Sequence, residues 1–484
     1  MMRCVVVGSG VSGMTAALLL AGNGHDVTLL EAGDRPSPLL RGFSREGLVF
    51  DTGFHSAGGI HAGGTLHRWL RALDLAPLLH GVSTSHTDVF LFSDGRRFCL
   101  PAGKDDILNA VDGQFPGQAP AMERFMEVLN GCFAHSAYLD PSVRGEPESF
   151  ADNTENLASF LDQFPFPPHL RAMVSCRCLL YGVPPAVASR RDYALVAGPY
   201  FHSCGTWDGG GLALAEAFLK KLSRKGVIPR CNCAITQIEG TKSRGVTGVS
   251  LHDGSRIPCE ACFFTGHPAQ LEKLLPPGLL RPAFYRRIRE MPETPSAILL
   301  FAETRDALCE QESLYILPKP DSPDIFQEME TSSVYIHCGR PAADGRKAVM
   351  AVAFLPPRAL PEGDPQPRPE SYRIWKKETM LRLKSYVETR MPALKGRWRI
   401  LDAATSLSLR HWIHGSTGSL YGIRHEAANM PLLPVTRLQG LFLAGQNIVL
   451  PGILGAIVSG ALAAGFALGH DAALKEFRQC AGDG

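Results

Sequence analysis

The sequence predicts an α/β protein: a Rossmann-type domain, discontinuous in sequence, with an inserted α+β domain that contains an antiparallel sheet. Three observations carry this. A short apolar strand at the N-terminus, Val5 to Val7, runs directly into the glycine-rich turn Gly8-Ser9-Gly10-Val11-Ser12-Gly13 and then a helical pattern. Further α/β-type fragments return only after residue 205 and again after residue 430. Between them lie a block of helical pattern and a block of alternating apolar runs, which belong to a different architecture.

Length and composition set the frame. The 484 residues allow two or three domains, each with its own core. A formal net charge of +2, with scattered basic residues, gives no reason to expect a nucleic-acid partner. The 13 cysteines include one C-x-x-C pair, Cys259 and Cys262, in a run that reads as a strand. Residues three apart on a strand face opposite sides, and no second pair sits at zinc spacing. Reduced, structural thiols of a cytoplasmic protein, and no metal site, are the expectation.

The N-terminal piece is the most informative. Gly8 allows a tight turn, Gly10 lets a pyrophosphate approach the backbone, and Gly13 lets the helix pack on the strand. The helix from Val11 to Ala21 aims its amide end at the phosphates. A second strand, Asp26 to Glu31, ends on an acid about 20 residues past the glycines, where a ribose hydroxyl is bound in such folds. Strand, glycines, helix, second strand and acid stand in order, which the bare glycine pattern does not provide. An NAD domain would usually complete its two halves in one piece. Here the chain instead leads into D-R-P-S-P-L-L-R-G-F and G-L-V-F-D-T-G-F-H-S-A-G-G, which favours FAD.

The remaining pieces follow in sequence. Residues near 105 to 204 are mainly helical in pattern. From Gly209 an amphipathic helix carries Leu212, Ala215, Leu219 and Leu222 on one stripe, followed by short β-type runs and an Asp253-Gly254 turn. Residues near 290 to 355 alternate as an antiparallel sheet does, and a long helix covers about Glu370 to Arg390. Six prolines in the 14 residues Pro356 to Pro369 mark an exposed connection. The last piece is G-L-F-L-A-G-Q-N from Gly440 and an apolar helix; its 18 uncharged residues, Gly452 to Gly469, read as a buried helix and not a membrane span. The division expected is 1–75, 205–270 and 430–475 for the cofactor domain, with 76–204 and 271–429 for the substrate domain.

With these pieces in place the chain resembles the phytoene desaturase and retinol saturase (carotenoid isomerase-like) family of FAD-dependent oxidoreductases. The matching segments are Gly8 to Gly13, Glu31, Arg41-Gly42, F-D-T-G-F-H from Phe50, the G-G-G-L helix, S-L-Y-G-I from Ser419, and G-L-F-L-A-G-Q-N-I. The resemblance implies that Glu31, with Ala32 beside it, holds the adenosine ribose, that Arg41 approaches the diphosphate, and that Ile235 frames the adenine. Gly445 and Gln446 would lie near the ribityl-phosphate chain, and Ile453 and Leu454 near the pyrimidine end of the flavin. Leu39 and Leu40 stand where the family often has glycines, and Gln446 where many relatives have an acid.

Proton chemistry is less plainly written. Histidines occur at His55, His61, His67, His411 and His414, and the glycines after His414 argue for a loop there. Arg410, His411, His414 and Tyr421 are the polar groups nearest the closing motif and are taken as catalytic candidates. No second dinucleotide fingerprint is present, so electrons pass to or from a quinone, oxygen, another protein or a transiently bound NAD(P). The reading is an FAD-dependent oxidoreductase acting on carbon–carbon bonds of an apolar polyene or isoprenoid by desaturation, saturation or isomerisation. Two alternatives stay open: an amine or porphyrinogen oxidase, and a non-catalytic prenyl-binding protein of the same fold. A cytoplasmic location is expected, with a peripheral membrane contact open because an apolar substrate dissolves in lipid.

Overall fold

The computed structural model describes residues 1–84, 86–133, 136–144, 155–305, 313–320, 333–355, 367–413 and 417–480. Three distant chain segments build one parallel sheet, in the order Leu441–Leu443, Ala261–Phe264, Arg3–Val7, Asp26–Leu30. Its strands are nearly all apolar, as they must be when both faces of a sheet are covered. The helix Val11–Gly22 and the helix Gly452–Leu468 pack side by side, the first of them on this sheet. Small residues make that contact close: a Cβ at Gly460 would run into the Ser12 carbonyl.

The helix Gly210–Arg224 also packs against Val11–Gly22, but its buried face differs from the expected stripe. Leu214, Ala215, Phe218 and Leu222 are buried, while Leu212 and Leu219 are half-buried. The run G-L-A-L-A-E-A-F-L offers two overlapping stripes, and the one containing Phe218 buries more apolar area. A three-stranded antiparallel sheet follows from Ile235–Thr241, Gly245–Leu251 and Arg256–Pro258.

The second sheet has seven strands, in the order Trp398–Ala404, Ser296–Thr304, Lys347–Leu355, Val334–Pro341, Ser313–Leu317, Thr87–Phe92, Arg97–Pro101. It is not purely antiparallel, because Ser313–Leu317 pairs parallel with Thr87–Phe92. The hairpin that adds this parallel contact went unread, although Asp94-Gly95 marks its turn: the Asp94 carboxylate accepts the Arg96 amide at 3.0 Å. Alternation then divides the sheet's faces. Ile298, Leu300, Ile336, Val349 and Ala351 pack with Leu383 and Val387 of the long helix Glu370–Arg390. Leu299, Tyr335, Met350, Val352 and Phe354, on the opposite face, line a cavity.

Among the described residues eleven cysteines are free, but Cys338 is disulfide-bonded, against the expectation of reduced thiols throughout. Such a pairing is set by the fold and is not visible in sequence spacing. Among the described residues no helix is long and apolar enough to cross a membrane, and no group of three or more metal-ligating side chains occurs. Of the proline-rich connection, residues 356–366 lie outside the described residues.

Candidate active site

A cavity of about 870 Å³ runs between the two sheets. Val7, Leu30 and Phe264, each the last residue of a parallel strand, line one end. Open α/β sheets bind ligands at that edge, where helix amides and strand-end loops converge.

Gly8, Gly10, Val11 and Ser12 line this end of the cavity; Ser9 and Gly13 do not, and serve the loop's shape instead. A Cβ at Gly13 would meet the Gly8 carbonyl, so the helix sits directly on the turn. A Cβ at Gly10 would meet nothing, which leaves the room a pyrophosphate needs against the backbone. Glu31 is buried, and one of its oxygens accepts the amide and hydroxyl of Ser9 at 3.0 and 2.6 Å. The other accepts the Gly33 amide at 2.9 Å and retains acceptor capacity for a ribose hydroxyl. Ala32 and Ile235 line the same end.

The opposite wall of this cradle is the segment Gly445 to Gly455. Gly445, Gln446, Ile453 and Leu454 all line the cavity. The Ser459 hydroxyl bridges the amide and carbonyl of Gly445 at 2.9 and 3.0 Å, and the Gln446 carbonyl accepts a hydrogen bond from His425 Nε2 at 2.7 Å. Asn447 Oδ1 accepts the Ile423 amide at 2.8 Å, which ties the S-L-Y-G-I segment to this wall. At Gly452 to Leu454 the first-turn amides of the closing helix have no partner within the helix and suit an anionic group. A strand-end acid, an open glycine loop and two helix N-termini fit a dinucleotide.

Arg41 is placed otherwise than expected. Its Nε donates to the Pro36 carbonyl at 2.7 Å, and it does not line the cavity, whereas Leu39 and Leu40 do. The short turn Pro38–Arg41 directs the Arg41 Nε back to its own chain.

The catalytic candidates separate. Tyr421 is on the cavity wall; its hydroxyl lies 3.4 Å from the Leu179 carbonyl, and burial pushes its phenol above the usual range. The segment expected to be a loop is a helix as far as Ile413, Ser406–Ile413, and His414 lies outside the described residues. Helical phase decides what faces inward: Leu409 and Trp412, three apart, line the cavity, while Arg410 and His411 do not, and His411 is exposed.

Polar groups outside these four candidates line the cavity. His55 lines the cavity with its ring 4.9 Å from that of His337 and 6.0 Å from that of Tyr335. Burial, then the neighbouring His337, holds its imidazole well below the ordinary histidine range, so it is neutral. Tyr200 and Tyr335 also line the cavity and donate or share hydrogen bonds with the Ser56 carbonyl at 3.2 Å and the Ser313 hydroxyl at 2.9 Å. Behind Tyr200 lies a buried ion pair, Arg177 to Asp88 at 3.1 Å, with His86 on the other Asp88 oxygen at 3.0 Å. Burial raises the Asp88 carboxyl, but Arg177 and His86 outweigh it and hold it low. His267 is buried at the cavity wall, its Nδ1 accepting the Ala269 amide at 3.2 Å, which places its proton on Nε2, 3.5 Å from Glu293. No sequence signal joins Asp88 to Arg177 or His55 to His337, since each pair meets only through the fold. Asp51 of F-D-T-G had a legible neighbour in the G-G-G-L segment: the Gly211 amide donates to it, and burial raises its carboxyl to about 6.

The family model described as flavin-containing amine oxidoreductase matches residues 11–466. The all-trans-retinol 13,14-reductase of Danio rerio is 22% identical, with 95% of this chain and 85% of that protein covered. The phytoene dehydrogenase of Streptomyces griseus is 27% identical over 62% of this chain and 60% of its own length. Among solved structures, an oxidoreductase from Methanosarcina mazei aligns with a TM-score of 0.67 at 13% identity, covering 95% of this chain and 99% of that one.

Proposed function

The chain belongs to the family of flavin-containing amine oxidoreductases, and from that premise we propose that it oxidises or reduces carbon–carbon bonds of an apolar polyene or isoprenoid, with FAD as hydride carrier. FAD bound in this cradle supplies hydride acceptance or donation at its N5. The protein's part is to hold the chain of the substrate in contact distance and exclude water.

The observation that carries the substrate class is the cavity itself. The dinucleotide cradle opens without interruption onto an apolar sheet face of Leu299, Met350, Val352 and Phe354. Glu31, at the adenosine end, is the only carboxylate among the described lining residues. A cationic amine would find no anionic partner beside that face, whereas a hydrocarbon chain is stabilised by about 25 cal/mol per Å² of surface it buries. The relatives named for retinol and phytoene chemistry favour the same class.

Glu31, Gly10 and the Gly445 to Leu454 wall hold the cofactor in this reading, and Tyr421 lines the same cavity. A peripheral membrane contact belongs to the same reading, because Trp412 and Leu39 line the cavity and are 50% and 38% exposed. Product analysis tests the proposal. Holoenzyme is incubated with polyenes, retinoids and amines, with quinone, oxygen or NAD(P)H as electron partner. Gain or loss of one hydrogen pair, or a shifted double bond, in a polyene is expected; turnover of amines alone would overturn it.

A further inference from the structure

We propose that His55 is the hydrogen-bonding anchor for a hydroxyl at one end of the substrate, which narrows the substrate class to a polyene alcohol. This rests on the polyene reading above.

The position of His55 comes first. It follows the strand Leu48–Phe50, and its ring lies against Tyr335 and His337, which are two apart on Val334–Pro341 and so share a face of the seven-stranded sheet. That places it at the substrate wall and not among the phosphate-loop residues. The surroundings come second. Leu299, Met350 and Val352 on the same wall are apolar, so the imidazole stands in a largely apolar wall.

The third observation is a hydrogen-bonding deficit. Nδ1 of His55 is buried and has no hydrogen-bond partner among the described residues. Native structures leave few buried polar atoms in that condition, because an unmet donor or acceptor loses its water without compensation. On the wall of a ligand cavity, the ligand is the natural partner.

The chemistry of that partner follows from the state of the ring. Burial and His337 keep the imidazole neutral, with one N–H and one bare nitrogen. A carboxylate would call for a positive charge, and an ammonium for a negative one; among the described residues His337 is the titratable neighbour of this ring. A hydroxyl both donates and accepts, so it matches either nitrogen. The Tyr335 hydroxyl, already shared with Ser313 at 2.9 Å, adds a second polar group on the same strand face.

Binding of retinol to the holoenzyme, against the same polyene lacking its hydroxyl, tests this. Affinity is read from polyene fluorescence and from the perturbed flavin absorbance. The native protein is expected to prefer retinol by about tenfold, the effect of a hydrogen bond left unmet by the hydrocarbon. His55→Leu should abolish the preference by weakening retinol alone, and His55→Gln, which keeps a donor and an acceptor, should retain part of it. Equal affinity of the native protein for both polyenes overturns the proposal. So does a His55→Leu protein that loses FAD while its preference survives, which would give the orphaned nitrogen to the cofactor. Binding of neither polyene by FAD-loaded native protein overturns the polyene reading and this inference with it.

Discussion

The carboxylate of Glu31 takes both hydrogen bonds that Ser9 can donate, from its amide at 3.0 Å and its hydroxyl at 2.6 Å. The end of the second strand and the glycine turn are therefore one braced unit before any ligand arrives. Each such bond to a charged acceptor is worth about 1.5–3 kcal/mol. Glu31→Ala should release FAD on gel filtration and also lower the melting temperature of the FAD-free protein. A variant that keeps FAD and melts like the native chain would show that neither role is real.

Asp51 makes stability depend on pH. Burial raises its carboxyl in the fold to about 6, from an ordinary value of 3.8. A raised carboxyl binds its proton more tightly in the folded state, so its contribution is most favourable below the unfolded value and is lost as pH rises through about 6. Asp51→Asn, which mimics the neutral form, should melt like the native protein near the unfolded value and be more stable above the folded one. The gain is bounded at about 3 kcal/mol, two pKa units' worth. Thermal melts across that range check it; a constant offset between the two proteins would refute the assignment.

Tyr421 and His411 are both polar and ten residues apart, yet only Tyr421 lines the cavity. Tyr421→Phe should lower turnover about tenfold, roughly 1.4 kcal/mol of transition-state stabilisation, at unchanged FAD content. His411→Ala and Arg410→Ala should leave turnover within about twofold, the small effect usual for side chains outside the reacting volume. The opposite ranking would move the chemistry out of the cavity.

These contrasts show what the sequence can express. The cofactor cradle was readable because its parts sit at fixed local spacing: Gly8, Gly10, Gly13 and Glu31 follow one another along a single strand–helix–strand unit. The substrate wall was not. In S-A-I-L-L-F-A-E-T both strand faces are apolar, so alternation alone does not say that Leu299 meets the cavity while Ile298 and Leu300 meet the long helix. Arg410 and His411 were chosen for chemistry and nearness to a motif, neither of which gives the phase of a helix. Arg41 matched its motif, but the turn before it sends its Nε to Pro36. His55 was visible as a histidine only; its isolation depends on His337 and Tyr335, which the chain reaches much later.

Membrane contact has a built-in reporter. Trp69 and Trp207 are fully buried, Trp398 is buried, Trp375 is half-buried, and Trp412 is 50% exposed at the cavity. Tryptophan prefers the bilayer interface, where its ring is half in lipid. Mixed phosphatidylcholine and phosphatidylglycerol vesicles should shift the protein's fluorescence to the blue, and Trp412→Ala should remove the shift and weaken co-sedimentation about tenfold. An unchanged spectrum without co-sedimentation would count against any membrane role.

The central claim is that one cavity brings a polyene to FAD, and anaerobic flavin absorbance measures it most directly. Oxidised and reduced holoenzyme are each mixed with a polyene panel and with amines, in the absence of oxygen. The account predicts bleaching of the oxidised flavin, or recovery of the reduced one, with a polyene and with no amine. A polyene that is isomerised without net redox change should instead perturb the spectrum and be recovered as an isomer. Bleaching by an amine, together with a flavin that no polyene perturbs and polyenes recovered unchanged, would contradict it.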